Sequence, residues 1–109
     1  MKKILFSIAV AALTINPGHV VAQGDTEAGR IKSKTCAVCH GPNGISRYHK
    51  RPNLAGQKAE YLIKQMYDFR EGKRDDYFMS AQSKLLTDKD IEDIAAYYAS
   101  LPWRLNLKQ

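Results

Sequence analysis

The chain has 109 residues, 44% of them hydrophobic and 26% charged, with a formal net charge of +6. A chain this short forms one small domain that buries only about 60% of its unfolded surface, so a cofactor, metal or disulfide would help it considerably. Its Lys and Arg residues are scattered, with no basic run carrying interleaved aromatics, which argues against nucleic acid as a partner and favours an acidic protein.

Met1–Ala22 reads as a secretory signal. Lys2 and Lys3 supply the positive start, and Ile4–Ile15 is a nearly unbroken apolar run, too short for the ~20 residues that span a bilayer. Asn16, Pro17 and Gly18 break any helix, and Val20, Val21 and Ala22 offer small or modest side chains at the cleavage positions. Cleavage is expected after Ala22, leaving residues 23–109 as the domain.

Asp25 is placed to cap a first helix that runs through Glu27 and Arg30 towards the cysteines and ends near His40. "GPNG", Gly41–Gly44, is turn chemistry, and a polar, basic loop "ISRYHKRPN" follows. From Lys58 to Glu71, Tyr61, Leu62, Gln65, Met66 and Phe69 recur at three- and four-residue spacing, which predicts a helix with one apolar stripe, stopped by Gly72. Arg74–Leu86 has no consistent period and is expected to be mostly loop, with at most one short helical turn. Thr87 as N-cap, Asp88 and Asp90 in the first turn, and Ile91, Ile94, Ala95, Tyr98 and Leu101 on one face predict a last helix, ended by Pro102. With no strand pattern, the fold class is all-α: three to four helices joined by long loops. Such loops are uncommon in a compact domain unless something orders them, and a bulky ligand at their centre would also add apolar surface.

Cys36 and Cys39, the only two cysteines, stand two residues apart in "CAVCH" with His40 directly after. A disulfide between them closes too small a ring to stabilise much and leaves His40 without a role. Zinc would lack a full ligand set, since only His49 and acidic side chains remain to complete it. A thioredoxin-like switch shares the spacing but places its thiol at a helix N-terminus in a βαβ setting, whereas this pair falls at the end of a predicted helix. Cys-X-X-Cys-His is the pattern of c-type haem attachment, in which the thiols add across the two vinyl groups and the next histidine donates Nε2 to iron. The haem reading is preferred.

Together with "PNLAGQKAEYLIKQMYDFREGKR", the methionine at position 79 and "LTDKDIEDIAAYYASL", this motif resembles the small bacterial class I cytochromes c. The likeness is strongest to monohaem proteins similar to one half of the dihaem periplasmic cytochromes. It covers nearly all of the chain after the leader, leaving the charged loop after Gly44 and the tail after Pro102 as individual features. The resemblance implies a class I cytochrome c fold around one haem c, attached at Cys36 and Cys39, with His40 as the proximal iron ligand. The family's second axial ligand is a methionine, and the matching position is Met79; Met66 lies on a helical stripe, where methionine more often fills a core. His49, in a loop beside Arg47, Lys50 and Arg51, reads as solvated. The resemblance also implies that the Pro52 carbonyl accepts the proton on His40 Nδ1 and that Leu54 packs against the porphyrin. Tyr61, Leu62 and Phe69 should face the core, and Gly29 should let the first and last helices cross closely beside Tyr97 or Tyr98.

A His40 and Met79 ligand set leaves iron no open position, so the expected function is one-electron transfer in the periplasm, without enzymatic activity, between respiratory or dehydrogenase partners. Arg47, His49, Lys50 and Arg51 could form a positive rim that steers an acidic redox partner. The protein is expected to be a monomer or weak dimer, with no membrane span after leader cleavage. Two alternatives stay open: a dedicated haem subunit of a periplasmic oxidoreductase complex, and a haem-based gas sensor in which Met79 leaves the iron.

Overall fold

The computed structural model describes residues 2–4 and 24–104; the leader reading, beyond Lys2, Lys3 and Ile4, and the end of the tail lie outside the described residues. All regular structure among the described residues is helical.

Asp25 opens α1 (Thr26–Lys32), its carboxylate accepting from the backbone N–H groups of Glu27 and Ala28 at 2.9 and 3.1 Å. Two of the four donors that a helix start leaves without partners are thereby satisfied. The helix does not run unbroken to His40 as expected. Ser33 Oγ donates to the Arg30 carbonyl at 3.1 Å, a side-chain bond that competes with the helical ladder, and the chain turns over residues 33–36 before resuming as α2 (Ala37–His40).

The next helix, α3 (Ala59–Glu71), stops as expected at Gly72, which adopts a left-handed conformation. Phe69 is buried on it and Leu62, Gln65 and Met66 are half-buried, but Tyr61 in the first turn is 48% exposed and is not a core residue. A second correction concerns Arg74–Leu86, most of which is a helix, α4 (Tyr77–Lys84). Asp76 caps it, accepting from the Phe78 and Met79 N–H groups at 3.0 and 2.8 Å, while its own N–H donates to Ser80 Oγ at 3.2 Å. Its apolar residues Tyr77, Phe78 and Met79 are consecutive and so show no helical period, which is why a periodicity reading misses it. The determinant is the cap.

The last helix, α5 (Asp88–Ser100), begins with a capping box: Asp90 N–H donates to Thr87 Oγ1 at 3.1 Å and Thr87 N–H to the Asp90 carboxylate at 3.0 Å. It is the central element, packing against α1 and α3, while α4 packs on α3. Ile91, Ile94, Ala95 and Tyr98 are buried along it, the stripe read from sequence; burying a side chain such as Ile91 stabilises by roughly 1.5–3 kcal/mol. Where α1 crosses α5, a Cβ at Gly29 would overlap the Asp93 carbonyl and lie 2.8 Å from Tyr97 Cβ, so the two backbones touch and the neighbouring tyrosine is Tyr97.

Asp93, 1% exposed, fastens this crossing. Its carboxylate accepts from the Asp25 N–H and from Lys32 Nζ, each at 2.8 Å, and pairs with Lys89. Burial alone would raise the carboxyl pKa, but Lys32, Lys89 and the Asp25 N–H outweigh it and hold the group well below its ordinary 3.8. A depressed pKa contributes stability that is complete above the unfolded-state value of about 4 and is lost as pH falls below it. Asp93→Asn should therefore lower stability at pH 7 by about 2 kcal/mol and flatten its decline between pH 4 and pH 2, read from urea midpoints across that range. An unchanged acid slope in the variant would refute this role.

Candidate haem site

The helix α2 carries the Cys-X-X-Cys-His motif, with Cys36 at its N-cap position and Cys39 and His40 inside it, so the first cysteine stands at a helix start and not, as expected, near the end of one long helix. His40 is 5% exposed, and its Nδ1 lies 2.8 Å from the Pro52 carbonyl oxygen. A carbonyl can only accept, so Nδ1 carries the proton in this bond, and in the neutral imidazole Nε2 then holds the lone pair. Proline suits the accepting position because it brings no N–H of its own to compete.

The loop that delivers Pro52 is held by its own backbone. The Gly44 carbonyl accepts from the Leu54 and Ala55 N–H groups at 2.8 and 3.0 Å, and the Gly56 N–H donates to the Tyr98 carbonyl at 2.9 Å. Gly44 has φ +72°, and a Cβ there would lie 2.9 Å from Ala55 N and 3.0 Å from Tyr98 Cδ1, so both conformation and space require glycine. Ser46 Oγ donates to the Cys39 carbonyl at 3.2 Å and Ser46 N–H to Asn53 Oδ1 at 2.7 Å, which returns the loop to the motif. Leu54 is half-buried in this arrangement, Arg51 is half-buried, and Arg47, His49 and Lys50 are exposed.

Tyr98 closes the site from α5. It is 2% exposed with its hydroxyl beside Ser33 and Cys36, and burial pushes its pKa up. This support for Cys36 was not read from the sequence, although the stripe on α5 already marked Tyr98 as inward-facing. Burial also pushes the Cys36 thiol up, the reverse of the acidic thiol that a thiol redox switch needs. The two cysteines are not disulfide-bonded, and among the described residues no group of three or more His, Cys, Asp or Glu side chains converges to hold a metal.

Cys36, Cys39, His40, Pro52 and Leu54 thus belong to one bonded unit resting on α5. Met79 comes from elsewhere: it is half-buried, the third residue of α4, held through α3 and the Asp76 cap rather than lying in a loop. One cation–π contact joins the two parts, with the Arg51 guanidinium 4.7 Å from the centre of the Phe78 ring. The sequence placed Arg51 only in the basic rim and assigned Phe78 no role, whereas the structure half-buries Arg51 and turns it to the ring.

Two unbonded thiols on one helical turn, with an adjacent imidazole presenting a free Nε2 and a buried Nδ1–H held by a carbonyl, fit a covalently attached haem. The helical architecture and this donor set define a c-type haem protein. The chain belongs to the cytochrome c family, whose match covers residues 27–102. It is 42% identical over 100 residues to cytochrome c4 of Pseudomonas aeruginosa, a stretch that takes in 92% of this chain and 49% of that one. Cytochrome c-554(548) of Halomonas halodenitrificans is 42% identical over 80 residues, covering 71% of this chain and 96% of its own length. The crystal structure of reduced recombinant cytochrome c4 from Pseudomonas stutzeri superposes with a TM-score of 0.69 at 40% identity, over 72% of this chain and 46% of that one. The chain spans about half the length of the cytochrome c4 relatives it matches. The fold is that of class I cytochromes c, and the cofactor is a covalently attached c-type haem with its iron, for which the sequence has one attachment motif.

Proposed function

We propose that the protein is a periplasmic one-electron carrier, exported by a leader ending at Ala22, with haem joined to Cys36 and Cys39 and iron held between His40 Nε2 and the Met79 thioether. The observation that carries the reading is the 2.8 Å bond from His40 Nδ1 to the Pro52 carbonyl, which orients the ring and makes Nε2 a stronger donor. When bound, the haem supplies a ferric/ferrous couple, and thioether ligation favours the ferrous form. His40 Nε2 and the Met79 thioether would be the two protein groups that hold the iron, and such a pair would leave no position for substrate, which suits electron transfer rather than catalysis. The bonds from the Leu54 and Ala55 N–H groups to the Gly44 carbonyl hold the segment that carries Pro52 to the motif, which would limit rearrangement as the iron changes charge. Among the described residues no helix is long and apolar enough to cross a membrane.

The visible spectrum tests this reading on protein exported with a haem-ligation system, after denaturing extraction of loosely held haem. Haem that stays with the polypeptide, together with the weak long-wavelength band of methionine-ligated iron in the oxidised form, is the expected result. Covalent haem without that band removes Met79 as a ligand, and no retained haem removes the attachment reading. The partner side of the proposal is an acidic redox protein approaching the exposed Arg47, His49 and Lys50. Electron exchange with such a partner should slow as salt is added, and the Arg47→Glu, Lys50→Glu double variant should lose most of that dependence. A variant with the native salt dependence would move the docking surface elsewhere.

A further inference from the structure

We propose that Arg51 and Phe78 form a clamp across the haem site that keeps Met79 on the iron, a positioning role that rests on His40 and Met79 being the axial ligands. Each residue is the chain neighbour of a site residue. Arg51 precedes Pro52, whose carbonyl fixes His40, and Phe78 precedes Met79. The guanidinium sits 4.7 Å from the ring centre, within the range of a cation–π attraction.

The position of α4 makes this contact consequential. Among the described helices α4 packs on α3 alone, so no helix–helix contact ties Met79 to α2 or α5. The Arg51 backbone is fixed by its N–H bond to the Tyr48 carbonyl at 3.0 Å, and the Phe78 backbone by its N–H bond to the Asp76 cap at 3.0 Å. Each end is thus held within its own turn or cap, and the cation–π contact joins the segment of Pro52 to the segment of Met79. Arg51 makes no ion pair among the described residues and has Arg47, His49 and Lys50 as sequence neighbours. An aromatic face gives this cation a partner without requiring a carboxylate beside the haem.

Loosening the clamp should raise the population in which Met79 is off the iron, and an external ligand reports that population directly. The probe is imidazole added to the oxidised holoprotein, with variants Arg51→Gln, Phe78→Leu, the two combined, and Phe78→Tyr. Each of the first two should bind imidazole about two- to fivefold more tightly than the native protein, the size of effect an exposed cation–π contact supplies. The double variant should bind no more tightly than either single one, because both remove the same contact, and Phe78→Tyr should retain native affinity. A residue that only supported the fold would shift the unfolding midpoint and leave imidazole affinity unchanged. Native affinity in both single variants, or effects that add in the double, would overturn the clamp while leaving the ligand assignment standing. Absence of the methionine band in the native protein would overturn the ligand assignment and the clamp with it.

Discussion

Replacing Met79 by alanine is expected to lower the reduction potential by on the order of 0.1–0.2 V, a substantial part of the roughly 0.8 V that axial ligation can span. It should also abolish the long-wavelength band and open the reduced iron to carbon monoxide. The direction follows from the thioether's preference for ferrous iron: once it is gone, the oxidised state gains relative to the reduced one. The helix itself should survive, because the bond at this position runs from the Met79 backbone N–H to Asp76 and alanine preserves it. Alanine is also the best helix former. With Met79 as the proposed ligand, the expected effect is therefore ligand loss rather than unfolding. Met66→Leu is the control: Met66 is half-buried on the α3 stripe, and a near-isosteric change there should leave potential and band where they were. A redox titration and spectra of the three proteins decide the matter. An unmoved potential in Met79→Ala, or a lost band in Met66→Leu, would transfer the ligand role.

Gly29→Ala should destabilise the fold by about 3 kcal/mol, the upper end for overpacking, or prevent folding altogether. In an isolated helix the same change would stabilise by about 1 kcal/mol, so the sign itself is diagnostic. The reversal comes from the Asp93 carbonyl and Tyr97 Cβ, which occupy the space a methyl group would need. Neither is the end of a flexible side chain, so relief requires α1 and α5 to separate. Separation would also pull Asp93 from Lys32 and from the Asp25 N–H, adding the cost of a buried carboxylate losing its partners. Denaturant unfolding of the haem-loaded protein measures the change. Equal or greater stability of Gly29→Ala would mean that the helices do not meet at backbone distance.

The attachment motif, the Asp25 and Thr87 caps, the Gly72 stop and the stripe Ile91, Ile94, Ala95, Tyr98 were all legible in the sequence because each signal acts within one or two turns of its own segment. The same local logic would have found α4 through Asp76, had cap chemistry been weighed above apolar period. The break between α1 and α2 is also local, set by Ser33 bonding back to Arg30.

Other features were decided by tertiary packing. Tyr97 rather than Tyr98 stands against Gly29, Tyr98 turns instead to Cys36, and Tyr61 stays exposed although it shares the α3 pattern. Arg51 meets Phe78, and Asp25 meets Asp93 across 68 positions of chain. No periodicity or cap encodes such pairs, because they depend on how preformed helices cross and on which backbones can approach. The sequence determined that this chain builds helices and offers a covalent haem site, since those follow from short-range bonding and fixed spacing. Which residues brace that site, and what links the Pro52 side to the Met79 side, only the packed structure decided, because contacts between distant segments exist only once the helices have closed.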